Sequence, residues 1–278
     1  MAVGPYRHAF SVDLEDWFQG LTSTNPRIDA WPVFPSRVVP ATRAILSILD
    51  RHQVKATFFT LGYVADTFPS LLEEIAAGGH EIGVHGYHHR FVSRMTRDEF
   101  AREIDLGTEA VYRVTHAQPQ GHRAPYFSVN ARTPWAFDVL AERGFRYDSS
   151  VFPIRSLLYG FAGARREPHR LANGLIEFPL TTMRLGKMNV PLAGGFYTRV
   201  YPYEFLRWAL RRVERQGLPI VMYVHPWEID LDQPRIRTTA RERITHFHGR
   251  AGLPAKLDRL LTDFDFGPIA SLLDGAPA

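Results

Sequence analysis

The sequence predicts an α/β protein with a parallel sheet, because short β-branched or aromatic runs alternate with helical patterns from residue 8 to residue 225. A single domain is expected, since no Pro-, Gly- or Ser-rich linker divides the 278 residues and no internal repeat is visible. Strand patterns fall at residues 8–13, 55–61, 81–85, 121–126, 176–181 and 218–225. Helical spacing fills most of the gaps. A pattern over 39–52 carries Pro40 near its start, and one over 69–77 runs into Gly78-Gly79. Thr96-x-x-Glu99 is a capping box that opens a helix reaching to about residue 115. Thr133-Pro134 opens a helix that Gly144 closes, and residues 203–216 form another that ends at Gly217. Segments 153–173 and 230–252 show no clear period and read as long loops, which in a compact domain are often functional.

Composition narrows the chemistry. With 45% hydrophobic and 22% charged residues the chain can bury a sizeable core. The absence of cysteine excludes disulfides, thiolate nucleophiles, Cys-ligated zinc and iron–sulfur clusters, leaving His, Asp and Glu as the strong metal ligands. Apolar runs such as 218–224 fall well short of the roughly 18 residues that cross a bilayer. The opening MAVGPYRHAF has no hydrophobic signal core, so the expected location is cytoplasmic. Net charge is +4, and all but three of the 33 basic residues are Arg. Their local groups at 165–170 and 207–215 read as solvated faces; no basic run with interleaved aromatics is present, and no nucleic-acid partner is expected.

Four clusters carry candidate chemistry. The first strand runs into Asp13-Leu14-Glu15-Asp16-Trp17-Phe18, three carboxylates within four positions that need a cation if they face one another. Strand alternation puts Asp13 and Glu15 on one face, whereas a turn after Asp13 would aim Asp16 inward instead. A solvated turn or helix cap is the bland alternative. The second cluster is Gly79-His80-Glu81-Ile82-Gly83-Val84-His85-Gly86-Tyr87-His88-His89. His80-Glu81 imitates the start of a zinc-protease helix, but the next His is five residues on and Gly83 with its β-branched neighbours argues for strand. His85 and His89, four apart, can meet on a metal across one helical turn or a tight loop, with His88 as a competing partner. The third cluster is Gly121-His122-Arg123-Ala124-Pro125-Tyr126-Phe127. The fourth is a strand ending in His225-Pro226-Trp227-Glu228, whose lone His is more often structural than catalytic. All four stand at the C-terminal ends of expected strands, where α/β sheets assemble their sites.

At these residues the chain resembles the polysaccharide deacetylases, the NodB-homology or carbohydrate esterase 4 family, and within it the branch encoded with exosortase and exopolysaccharide genes. The resemblance runs from His8 to about residue 273. It rests on Asp13 with Glu15 and Asp16, His85-x-x-x-His89, Arg123-x-Pro125-Tyr126, Asp148-Ser149-Ser150 and the final motif at 222–225, in that order. It implies a single-domain distorted (β/α) barrel of about seven parallel strands with the site at the C-terminal strand ends. It also implies one divalent metal ion, zinc by default with cobalt, nickel or iron acceptable, held by His85, His89 and either Glu15 or Asp16. On the same basis Asp13 is the general base, Arg123 orients it, the Tyr126 backbone N–H stabilises the oxyanion, and His225 protonates the leaving amine with Asp148 holding it. Trp17, Tyr87, Phe127 and Trp227 flank the motifs as candidate sugar-stacking rings, with core packing an equal alternative. The implied substrate is an N-acetylhexosamine unit of a polysaccharide or its precursor. An allantoinase-like amide hydrolase and a non-catalytic carbohydrate-binding protein are the competing readings. The chain departs from the family where the usual Asp-Asp pair is spread over residues 13–16, where Gly86 replaces Ser or Thr, where Met222 replaces Leu, and where the groove-wall Trp is missing.

Overall fold

β1 (His8–Leu14) is buried at every position, as its run Ala9-Phe10-Ser11-Val12 requires of a strand covered on both faces. The computed structural model describes residues 7–155 and 160–275. After β1 come α1 (Val38–Arg51), β2 (Thr57–Thr60), α2 (Gly62–Thr67), α3 (Pro69–Ala77), β3 (Glu81–Val84), α4 (Arg97–Thr115) and β4 (Gly121–His122). Then follow α5 (Trp135–Glu142), β5 (Tyr147–Asp148), β6 (His169–Arg170), β7 (Ile176–Glu177), a hairpin of β8 (Thr182–Leu185) and β9 (Met188–Pro191), and α6 (Gly195–Val200). The chain ends through α7 (Tyr203–Glu214), β10 (Val221–Val224), α8 (Ala240–Phe247), α9 (Leu253–Asp263) and β11 (Phe266–Gly267).

The sheet order is β10-β1-β2-β3-β4-β5-β7-β6, with β11 added beside β1. Every pairing in it is parallel except β6 with β7. The result is a curled, mostly parallel sheet. Past β7 the chain returns beside β10, where the Thr181 N–H donates to the Val221 carbonyl at 3.3 Å. The register places Val12 beside Val224, Leu14 beside Thr60, Thr60 beside Val84, Val84 beside His122 and His122 beside Asp148. The residues that follow these positions, Glu15, His85, Arg123 and His225, therefore emerge at one edge. One apolar core runs from Ala9 to Leu273, and a smaller cluster of Trp17, Phe18, Trp31 and Trp227 packs beyond that edge. Among the described residues no helix is long and apolar enough to cross a membrane.

Several elements differ from the sequence expectation. The strand expected at 121–126 stops at His122, and Tyr126 and Phe127 then take left-handed backbone conformations (φ 57° and 47°) that turn the chain across the sheet edge. The strand expected at 176–181 keeps ladder geometry only through Glu177. Segment 230–252 is not one long loop: it contains α8, opened by a capping box between Thr239 and Glu242. Segment 153–173 contributes β6, and its residues 156–159 lie outside the described residues.

Candidate active site

Alternation along β1 continues one step past its end, so Ser11, Asp13 and Glu15 share a face. Arg123, fully buried, fills the space beneath them. Its Nη1 donates to Ser11 Oγ and Asp13 Oδ1, each at 2.7 Å, its Nε donates to the Ser149 carbonyl at 3.0 Å, and its Nη2 donates to Ser149 Oγ at 2.9 Å. The guanidinium also lies 4.3 Å from the centre of the Phe59 ring. So many fixed donors leave Asp13 Oδ1 committed to the cation and Oδ2 pointing away, 3.9 Å from His225 Nε2.

Beyond β3 the chain turns through Gly86 (φ 73°) and His89 (φ 52°). Glu103 on α4 holds this turn by accepting from the backbone N–H groups of Tyr87 (3.2 Å) and His88 (2.9 Å). The same carboxylate lies 2.8 Å from His88 Nδ1, which settles the competition between histidines: His88 is drawn to α4, and His89 faces Glu15. His85 Nδ1 lies 2.7 Å from the Arg123 carbonyl, a pure acceptor, so the ring proton sits on Nδ1 and Nε2 keeps its lone pair.

Glu15, His85 and His89, all buried, place one ligand atom each within 4.8 Å of one another. Glu15 Oε2 is buried and lies 2.6 Å from His89 Nε2. A buried carboxylate converging with two imidazoles is what a divalent cation would join, and a carboxylate with two imidazoles is an ordinary donor set for such an ion. Protonation agrees with this. Burial pushes the Glu15 carboxyl up, but the imidazoles of His89 and His225 outweigh it and hold it down at about 2. Burial drives His85 down to about 4. Both are thus in the deprotonated form that metal ligation requires at neutral pH.

His225 follows β10. Burial pulls its pKa down, but the carboxylates of Glu15, Glu228 and Asp13 overcome this and raise it to about 9. Its Nδ1 lies 3.1 Å from Glu228 Oε2, and Glu228 is in turn held by the buried Arg199, 2.9 Å from Oε1. The nearest rings and charged groups enclose a cavity of about 310 Å³ whose walls include Asp13, Glu15, His85, His89, Tyr126, Phe127, His225 and Trp227. Tyr126 presents its left-handed backbone there, and its ring packs on His89 at 4.3 Å.

The structure places five of the candidate residues apart from the roles considered for them. Asp16 does not join the ligand cluster: its carboxylate accepts from the backbone N–H groups of Trp17 (2.9 Å) and Arg37 (3.1 Å) and from the Ser36 hydroxyl, anchoring the entry to α1. Asp148 does not hold His225. It lies 2.7 Å from His122 Nδ1 and accepts from Ser150, and burial together with this carboxylate keeps the neighbouring Glu177 carboxyl well above the usual range. Glu228 takes the position Asp148 was expected to fill. Trp17 is core, 1% exposed, with its Nε1 donating to the Pro35 carbonyl. Tyr87 turns outward, and its hydroxyl donates to Asp66 at 2.8 Å. Trp227 does line the cavity, but it stacks on the imidazoles of His225 (4.8 Å, 20°) and His246 (4.0 Å, 7°), so the ring surface expected to receive a sugar is occupied. Arg199, Glu242 and His246, which also line the cavity, escaped the sequence reading. For Glu242 a signal existed, since Thr239-x-x-Glu242 repeats the capping-box spacing of Thr96 and Glu99.

Residues 28–147 match the family model described as polysaccharide deacetylase. The chain is related to the polysaccharide deacetylases, hydrolases that act on the N-acetyl amide bonds of sugars. Residues 149–274 match a second model, a domain of unknown function (DUF3473). The deacetylase match contains His85, His89, Arg123 and Tyr126, and the second contains Arg199, His225, Trp227 and Glu228. A peptidoglycan-N-acetylglucosamine deacetylase of Bacillus cereus is 40% identical over 85 residues, 31% of this chain and 31% of the relative. The chain thus spans about a third of the length of the curated relatives it matches. A crystal structure assigned to the polysaccharide deacetylases, from Mycobacterium smegmatis, superposes with a TM-score of 0.66 at 23% identity, covering 99% of this chain and 91% of that one. A pseudoenzyme of carbohydrate esterase family 4 from Bacillus anthracis superposes at 0.53 and 14% identity, covering 97% and 66%. At these identities the two structures establish the fold alone.

Proposed function

We propose that this protein is a metal-dependent hydrolase that removes N-acetyl groups from N-acetylhexosamine units of a polysaccharide or its precursor, in the branch associated with exopolysaccharide synthesis. The observation that carries the reading is the Glu15, His85 and His89 cluster at the floor of a cavity flanked by a buried Asp13–Arg123 pair on one side and His225 on the other. Glu15, His85 and His89 would hold a divalent ion, zinc by default, which would supply a Lewis acid for the amide and lower the pKa of water. The protein's own residues do the rest. Asp13, kept in place by Arg123, turns Oδ2 to the cavity and accepts the proton of the attacking water. The Tyr126 N–H donates to the oxygen that becomes negative as the carbonyl carbon turns tetrahedral. His225, oriented through Glu228, delivers its proton to the departing amine, without which the C–N bond does not break.

Acetate release from N-acetylated oligosaccharides, with allantoin as the competing substrate, tests the proposal when paired with metal analysis. Chelation should abolish turnover, and zinc or cobalt should restore it. Full turnover by verified metal-free protein, or turnover of allantoin alone, overturns the reading.

A further inference from the structure

We propose that Trp227 is a positioning residue whose indole N–H holds one oxygen of Glu15 so that only the other is offered to the metal, making a segment of the 149–274 half part of the metal centre. This rests on the metal reading above. Trp227 Nε1 donates to Glu15 Oε1 at 3.0 Å, while Glu15 Oε2 faces the other candidate ligand, 2.6 Å from His89 Nε2. An indole N–H can only donate, so the oxygen it binds stays a hydrogen-bond acceptor. The carboxylate is thereby fixed in rotation and presented through a single oxygen.

The clamp is itself rigid. The indole is 6% exposed, stacked on His225 and His246, and its backbone carbonyl accepts from Arg250 Nη1 at 3.3 Å. An independent feature points to the same contact. A methyl group added at Gly20 would lie 2.7 Å from Trp227 Nε1 and 2.9 Å from Glu15 Oε1, closer than real Cβ contacts come. Gly20 therefore leaves open the space in which the two side chains meet. The next residue, Glu228, holds His225, so one turn after β10 orients both the metal-facing carboxylate and the proton donor.

Partners that orient metal ligands are typically worth about 10- to 100-fold in affinity. The test is zinc affinity of the full chain by competition with a chromophoric chelator, together with the absorption spectrum of the cobalt-loaded protein. Trp227→Phe keeps a ring to stack and removes the N–H, and should weaken zinc binding at least about 10-fold and alter the cobalt spectrum. Gly20→Ala should act in the same direction with both partners still present. Folding of each variant is checked by thermal unfolding, and if Trp227→Phe fails to fold, Gly20→Ala alone decides. Wild-type affinity in a folded Trp227→Phe, or in Gly20→Ala when that variant decides, overturns the inference while leaving the metal reading intact. A wild-type chain that takes up no zinc overturns both.

Discussion

Asp13→Asn separates a proton acceptor from a metal ligand, because the substitution removes charge while keeping an oxygen where Oδ1 meets Arg123. Two consequences follow from the geometry. Asp13 and Arg123 are 1% and 0% exposed, and losing the charge of one partner of a buried pair costs about 3–5 kcal/mol. Arg123 keeps its bonds to Ser11 and to both oxygens of Ser149, so the lower end, about 3 kcal/mol, is expected. In a chain of this size that corresponds to a fall in Tm of roughly 6–12 °C. The catalytic effect is separate: loss of a general base should cost about 10²-fold or more in turnover. Metal content should not change, since Asp13 stands outside the Glu15, His85 and His89 group. The assay is acetate release per bound metal, with metal measured on the same sample and Tm by calorimetry. If the variant loses its metal while turnover per bound ion stays normal, Asp13 is a ligand and the assignment of roles fails.

Glu15→Gln should abolish stoichiometric zinc binding, whereas Asp16→Asn should retain the metal and lose about 1 kcal/mol of stability through its weakened anchoring of α1; equal metal content in both refutes the choice of Glu15. His225→Ala should keep fold and metal but lose far more turnover on N-acetyl amides than on activated aryl acetates, whose phenolate departs without a proton. Equal fractional losses on the two substrates would return His225 to a structural role. The pKa of His225, raised to about 9 against an ordinary 6.5, means that its stabilising contribution in the metal-free protein is complete below about pH 6.5 and is lost as pH rises through 9. The metal-free protein should therefore lose about 3 kcal/mol across that window, and His225→Ala should flatten the decline. An unchanged slope in the variant contradicts the charge state assigned to His225.

Much of this architecture can be read locally. The Thr96 and Glu99 capping box opens α4, the apolar runs at 55–61, 81–85 and 218–225 contain β2, β3 and β10, and the run at 8–13 falls one residue short of the end of β1. Two-residue strands such as β5 and β11 leave no periodic signal, since two positions cannot display alternation. The helix α8 was missed for a different reason. Its hydrophobic stripe is weak, and only Glu242 and His246 are buried on it, polar residues that pattern reading assigns to solvent.

The sequence by itself determined which donor types are available, to within a residue where β1, β2, β3 and β10 end, and that His85 and His89 share one short stretch, because these follow from residue identity, alternation and spacing. The tertiary structure decided which carboxylate does what. Asp16 was drawn to the N-terminus of α1 by the backbone N–H of Arg37, and Asp148 to His122 across one strand pair. Glu228 reached His225 only because a tight turn after β10 folds its side chain back under the backing of Arg199, which arrives from α6. Trp227, a candidate sugar platform in the sequence, stacks on His246 of α8. Each outcome is a competition between a buried polar group's possible partners, and leaving such a group unpaired costs about 1–3 kcal/mol or more. Only the packed arrangement reveals which partner lies within reach.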